Sequence, residues 1–342
     1  ASYIGMELAE PGVPVTALGA LYATPPGESL SASGASVSTP VNPQPRAPTV
    51  PGGPVGDVEI VIDGDRELYL PLESVFMLPD DSVFVRVAGA GPGQFDMSQD
   101  DGRLEGLGGG NWVWHPSFTD GRADLTLRNR TNGSTFVLRA WRLTPRSEFE
   151  DGWIGSFRVG RYPSSPLGGN PIYLPPPGLV KVTEANRDVR VSPRFRIGQF
   201  VSKQSPNLPS YLILRTQLLL KLEVLLDALT ERGYSARSFH VMSGYRTPHY
   251  NVNVLGNVQY SRHQWGGAAD VFVDERPRNG YMDDLNGDGR VGLEDIRRIT
   301  MIVDSLENEL ESFPIGGAGV YRANSVRGPF VHIDVRGQRA RW

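Results

Sequence analysis

The hydrophobic period changes once along this chain, from two to about 3.6, so the chain needs two differently built cores. Between Val55 and Pro145 the apolar residues alternate in short runs: Val58, Ile60 and Ile62; Val83, Val85 and Val87; Leu125 and Leu127; then Phe136, Leu138 and Ala140 opposite Val137, Arg139 and Trp141. Alternation turns one face of each run inward and predicts strands. Asn132-Gly133 between the last two runs suits a tight hairpin, because both residue types tolerate positive φ. These runs predict an antiparallel β-sandwich of immunoglobulin-like kind over residues 55–145. Trp112 and Trp114 flank Val113 on one face; core packing and a carbohydrate-stacking platform are the two readings open to them. After Pro209, Leu212, Leu218, Leu219, Leu222, Leu225, Leu226 and Leu229 recur at helical spacing up to Gly233, which predicts a core helix opening at that proline.

The rest of the chain divides by composition. Residues 1–54 are rich in Pro, Gly, Ser, Ala and Thr, and Ser29–Pro54 has almost no large apolar side chain, so this stretch cannot bury a core of its own. It reads as an extended arm that lies on a protein partner or wraps its own domains. Residues 146–191, with several glycines and the run Pro175–Pro177, read as an extended linker able to lie against both domains, leaving 192–342 as the second domain. A length of 342 residues suits two domains plus an arm.

Charge and cysteine content narrow the chemistry. A formal charge of -4 with no basic stripe gives nothing for phosphates to bind, which argues against nucleic acid as a partner. The absence of cysteine leaves only His and carboxylates to hold a transition metal, and it fits an exported bacterial protein. Arg215, Lys221, Glu223 and Asp227 interrupt the longest apolar stretch, so no transmembrane span is expected. Ala1 opens the chain without a basic and apolar leader, so an export signal has been removed or none existed.

Three segments carry the candidate chemistry. His263 and Asp270 stand seven apart across Gly266, Gly267, Ala268 and Ala269, which let backbone pass close to a site. In Phe330-Val331-His332-Ile333-Asp334, strand alternation puts His332 and Asp334 on one face. Two imidazoles and one carboxylate with an open fourth position form a ligand set for hydrolytic zinc, which polarises a carbonyl and acidifies bound water. The third segment is Ser243-Gly244-Tyr245-Arg246-Thr247-Pro248.

Taken in order, these segments resemble the M15 metallopeptidases, the D-alanyl-D-alanine carboxypeptidase group. That group carries SGYR-T/S-P, then S-x-H-x-x-G-x-A-x-D, then a late H-x-D; here the matches are Ser243–Pro248, then Ser261, His263, Gly266, Ala268 and Asp270, then His332 and Asp334. The ending Gly337, Arg339, Arg341, Trp342 is similar to the murein endopeptidases of the group, and Val191–Phe195 with Phe200 resembles the domain's opening. The resemblance covers about residues 190–342. It implies an α+β zinc peptidase domain with His263, Asp270 and His332 as ligands, a peptidoglycan peptide as substrate, and a periplasmic or cell-envelope location. It also implies substrate contact by Arg246, against the alternative of an internal ion pair. The acidic general base that some branches place three residues before the last ligand is here Pro329. Asp334 is the nearest candidate base, the alternative being that it only orients His332.

A second metal motif lies between the zinc segments. Asp284, Asn286, Asp288 and Asp295 occupy positions one, three, five and twelve of a calcium loop of EF-hand or dockerin type over 284–295, with Gly289 at the sixth and Arg290 offering its carbonyl at the seventh. Calcium there would staple an insertion, with a helix following from Leu293. Two functions from different classes remain open. One is a zinc-dependent peptidoglycan hydrolase. The other is a non-catalytic extrinsic subunit that uses peptidase-like fold, sandwich and arm as a scaffold in a larger or membrane-associated complex.

Overall fold

A computed structural model describes residues 59–63, 66–89 and 93–342; the arm over 1–54, and with it any partner surface it forms, lies outside the described residues. The described chain is mostly antiparallel β-sheet, with two α-helices among the described residues.

Nine strands form the first module: β1 (Glu59–Ile62), β2 (Arg66–Glu67), β3 (Leu72–Met77), β4 (Val83–Ala88), β5 (Phe95–Gln99), β6 (Arg103–Gly108), β7 (Asn111–His115), β8 (Arg122–Asn129) and β9 (Thr135–Pro145). One sheet runs β2-β1-β4-β7-β6; β3, β5, β8 and β9 belong to the other. The two enclose a single core into which Ile60, Ile62, Val83, Val85, Val87, Leu125, Leu127, Phe136, Leu138 and Ala140 all point, as the alternation requires. Trp114 is fully buried in that core while Trp112 packs at its margin. Two details differ from expectation. β3 and β9 pair in parallel, and Asn132-Gly133 sits within a longer loop between Asn129 and Thr135, with Gly133 alone at positive φ.

Residues 146–191 pack against the second module as an integral part of its core. They form a hairpin of β10 (Trp153–Ile154) and β11 (Phe157–Arg158), three short helical turns, and β12 (Gly178–Val182). Ile154, Phe157, Val159, Tyr162, Tyr173, Leu179, Val180 and Val182 are buried in the second core. Their glycines and prolines shape turns around apolar anchors, and composition alone hides those anchors.

The predicted helix also begins later than Pro209. Ser210–Leu212 forms β13, paired with β12, so Leu212 belongs to a sheet; α1 then covers Thr216–Glu231, and Gly233 at φ +86° follows its end. The remaining strands, β14 (His240–Ser243), β15 (Ala268–Phe272), β16 (Gly317–Tyr321), β17 (Phe330–Asp334) and β18 (Ala340–Arg341), form a sheet in the order β14-β15-β17-β16-β18. α2 (Leu293–Glu309) shares a core with α1 and with Ala269, Val271, Val331 and Ile333 of the sheet. The alternate residues of β15 and β17 therefore face away from the helices.

Strand β9 joins the modules. Val137–Arg142 pairs with β3 in the first, and Leu143–Pro145 pairs with β12. Trp141 donates from Nε1 to the Ser74 hydroxyl at 3.1 Å, and that hydroxyl donates to the Val191 carbonyl at 2.7 Å, all buried. Arg139 grips Asp124 with two hydrogen bonds and reaches the Arg190 carbonyl at 2.8 Å.

Candidate metal centre

Strand pairing brings two of the sequence-predicted ligands together. In the β15–β17 ladder Asp270 lies directly opposite His332, so both side chains leave the same face of the sheet. His263 arrives from the short helical turn Arg262–Trp265, which Gly266 ends at φ +63°. A Cβ on Gly266 would fall 2.1 Å from the Ile213 carbonyl oxygen, so this approach needs glycine both for backbone conformation and for space. The expectation that small residues let the chain pass closely between His263 and Asp270 is met here in detail.

Three acceptor atoms converge. His263 Nε2 lies 3.3 Å from Asp270 Oδ1 and 3.3 Å from His332 Nδ1, and His332 Nδ1 lies 2.9 Å from Asp270 Oδ1. Among the described residues this is the only group of three His, Asp or Glu side chains whose ligand atoms lie so near one another. The other nitrogen of each ring has its own partner. His263 Nδ1 donates to the Gly244 carbonyl at 2.7 Å, and His332 Nε2 donates to Asp334 Oδ2 at 3.1 Å. With those protons placed outward, each ring turns a lone pair toward the carboxylate oxygen. Three lone pairs at such distances repel one another unless a cation lies among them. Tetrahedral zinc, with bonds of about 2.0–2.1 Å, separates its donor atoms by roughly 3.3 Å, so donor set and spacing fit it.

The electrostatics point the same way. Burial disfavours charge on His332, yet hydrogen bonds to Asp270 and Asp334 and their negative charges raise it from 6.5 to about 9. In the metal-free chain a proton thus takes the place a cation would fill. Burial would raise the Asp270 carboxyl, but neighbouring His263 and Arg246 and the hydrogen bonds from both histidines hold it well below its ordinary 3.8.

The structure pairs Arg246 with Asp270, one of the candidate ligands. Its guanidinium donates to Asp270 Oδ2, the oxygen turned away from the histidines, and its Nε donates to the Ser243 hydroxyl at 2.9 Å. Arg246 is buried, which matches the internal-pair reading of this residue more closely than substrate contact. Asp334 sits behind His332, on the ring edge opposite Nδ1. Its remaining acceptor sites are filled by the Gly317 amide at 2.8 Å and by the Arg336 guanidinium and amide. Burial opposes its charge, but His332 and Arg336 hold it well below 3.8. A carboxylate so engaged orients His332, and its position does not let it act as a base on the reacting side of the trio.

Several supporting residues escaped the sequence reading. Arg336 stands two beyond Asp334, the spacing that puts both on one strand face, and that was the signal available. Trp342 packs its ring 5.4 Å from that of His332; it fits there because Gly319, opposite His332 in the ladder, has no Cβ, which would lie 2.4 Å from the indole. The role of the Gly244 carbonyl could not be read from its residue type, which reflects the close approach to Phe200, where a Cβ would lie 2.6 Å from Cα.

The five residues predicted to bind calcium are not part of this group, and among them Asp284, Asp288 and Asp295 do not converge as the trio does. Asp284 accepts from the Gly287 and Gly289 amides at 2.7 Å each, and Asp288 accepts from the Arg290 amide at 2.8 Å. Asp295 accepts from the Leu285 and Gly292 amides, and Asn286 donates to Asp288 at 3.0 Å. Gly289 takes φ +82° at the sixth position. No helix of the described residues is long and apolar enough to cross a membrane. No protein-family model, curated protein or solved structure matches the chain.

Proposed function

We propose that the chain is a zinc-dependent hydrolase of peptide bonds in peptidoglycan. In this reading an α+β peptidase domain of M15 type is carried behind an immunoglobulin-like sandwich and acts in the cell envelope. The observation that carries it is the convergence of His263 Nε2, Asp270 Oδ1 and His332 Nδ1, each with its far side committed to another partner. Zinc bound there supplies polarisation of the scissile carbonyl and acidification of a water molecule. The protein's own part is orientation. Gly244 and Asp334 fix the two tautomers, Arg246 balances the Asp270 charge, and Trp342 walls one side of His332. The centre is a water-poor setting in which charges interact strongly.

The test is incubation of the full chain with purified crosslinked peptidoglycan and zinc, with released peptides read by mass spectrometry. Metal-dependent release that disappears in His263→Ala is expected. No release from the zinc-loaded chain would overturn the hydrolase and favour the scaffold reading. Pro329, at a position some relatives of that group give to an acidic base, and Asp334, committed to His332, are the observations on the scaffold's side. For the loop 284–295 the reading is a calcium staple, with Asp284, Asn286, Asp288, Asp295 and the Arg290 carbonyl as ligands.

A further inference from the structure

We infer that Glu307, in α2, is a positioning residue for the metal centre: it fixes where the Asp334 carboxylate stands and, through Asp334, how His332 is turned. The inference rests on the zinc reading of the trio; the contacts that carry it do not. The side chains of Glu307 and of Lys221, from α1, are both completely buried and meet at 3.0 Å. Both carboxylate oxygens of Glu307 are engaged. Oε1 accepts from Lys221 Nζ and from the Gly316 amide at 3.0 Å each, and Oε2 accepts from Arg339 Nε at 3.0 Å and from Arg341 Nη2 at 2.7 Å.

Two paths lead from this cluster to Asp334. Lys221 Nζ also donates to the Asp334 carbonyl at 3.2 Å, so the ammonium ties α2 to the end of β17. On the other path Gly316 gives its amide to Glu307, and the next amide, that of Gly317, donates to Asp334 Oδ1 at 2.8 Å. One peptide unit is thus held between two carboxylates. Both glycines are needed for the fit, since a Cβ on Gly316 would overlap the Asp334 carbonyl and one on Gly317 would overlap its carboxylate. Arg341 closes the arrangement by donating to the Gly316 carbonyl at 2.8 Å. Asp334, held at both ends, accepts from His332 Nε2 at 3.1 Å.

Stability alone does not account for such a cluster. Each buried ion costs desolvation, and a well-packed apolar pair of similar volume is commonly as stable or more so. What the ions supply and apolar groups lack is direction, here toward one backbone carbonyl and one backbone amide. Burial opposes the Glu307 charge, but Lys221, the Gly316 amide and Arg341 hold its carboxyl below its ordinary 4.5.

The experiment has two readouts on the full chain. One is zinc affinity by chelator competition; the other, in the metal-free chain, is the downfield NMR signal of the His332 Nε2 proton held by Asp334. Lys221→Met combined with Glu307→Leu makes the pair apolar. Its melting temperature is expected to be largely kept, while zinc affinity falls at least about tenfold and the proton signal is lost. Glu307→Gln should change both readouts in the same direction, as should Arg341→Met, whose side chain is 26% exposed, to a smaller extent. Glu223, another completely buried carboxylate, bonds Ser192 and Arg194 instead; Glu223→Gln is expected to lower the melting temperature and leave both readouts unchanged. Affinity and proton signal unchanged in the Glu307 and Arg341 variants, or equal losses in Glu223→Gln, would overturn the inference. Absence of zinc binding by the unaltered chain, with a proton signal that still depends on Glu307, would overturn the zinc reading alone.

Discussion

Asp334 touches no reacting atom in this arrangement, yet it decides which nitrogen of His332 carries the proton. Replacing it by Asn keeps the shape but allows an amide N–H to face Nε2 and reverse the tautomer. Zinc affinity of Asp334→Asn, measured by competition with a chromophoric chelator, is expected to fall about 10–100-fold. Retention of full affinity would show that Asp334 has no orienting role. The pH dependence follows from the same atoms. His332 is raised from 6.5 to about 9, so in the metal-free chain its contribution to stability is complete below 6.5 and is lost as pH rises through about 9. Asp270 and Asp334 are lowered, so their contribution is present above 3.8 and is lost as pH falls further. The metal-free chain should therefore show its highest melting temperature between 3.8 and 6.5 and a decline toward 9. Zinc must displace the His332 proton, so apparent affinity is expected to rise about tenfold per pH unit below about 9, with one proton released on binding from this residue. Chelator titrations across pH in buffers of different ionisation enthalpy check both.

At the scale of elements, the convergence of the candidate ligands Asp270 and His332 was legible because they lie on regular strands. His332 and Asp334 share a strand face by period two, and Asp270 is brought opposite by antiparallel pairing. What residue type does not announce is a backbone hydrogen bond: the glycine at 244 signals a close approach, since a Cβ there would lie 2.6 Å from Phe200 Cα, but not that its carbonyl fixes His263. Leu212 misled because a leucine in β13 and a leucine in the first turn of α1 fit the same spacing, and only pairing with β12 distinguishes them. Residues 146–191 misled for a related reason, since Pro and Gly mark turns but do not reveal how many apolar anchors lie between them. Gly319 tests the element directly. Gly319→Val would force Trp342 off His332 and is expected to destabilise by about 1–3 kcal/mol, with a change in tryptophan fluorescence. An unmoved spectrum and melting curve would contradict the packing described.

For the whole molecule, the joint around Ser74 and the shared strand β9 matter more than either core alone. Ser74→Ala removes the partner of both Trp141 Nε1 and the Val191 carbonyl, two buried groups, and is expected to cost about 3 kcal/mol in chemical denaturation. A single cooperative transition should persist in that variant, because the modules share a sheet. Cutting the chain at residue 191 would strip the second core of the apolar side chains of residues 146–191 and of β12, the partner of β13; residues 192–342 by themselves are expected to expose that surface and to aggregate. A soluble, cooperatively folding fragment would refute this. β9 runs unbroken from one module into the other, so the β-rich first module and the strands that lead to the candidate metal centre share one sheet. If the proposed hydrolase reading holds, the second module would act at a set reach from whatever surface the first module rests on, and a bond lying nearer or farther would have to be brought to it by movement of the substrate.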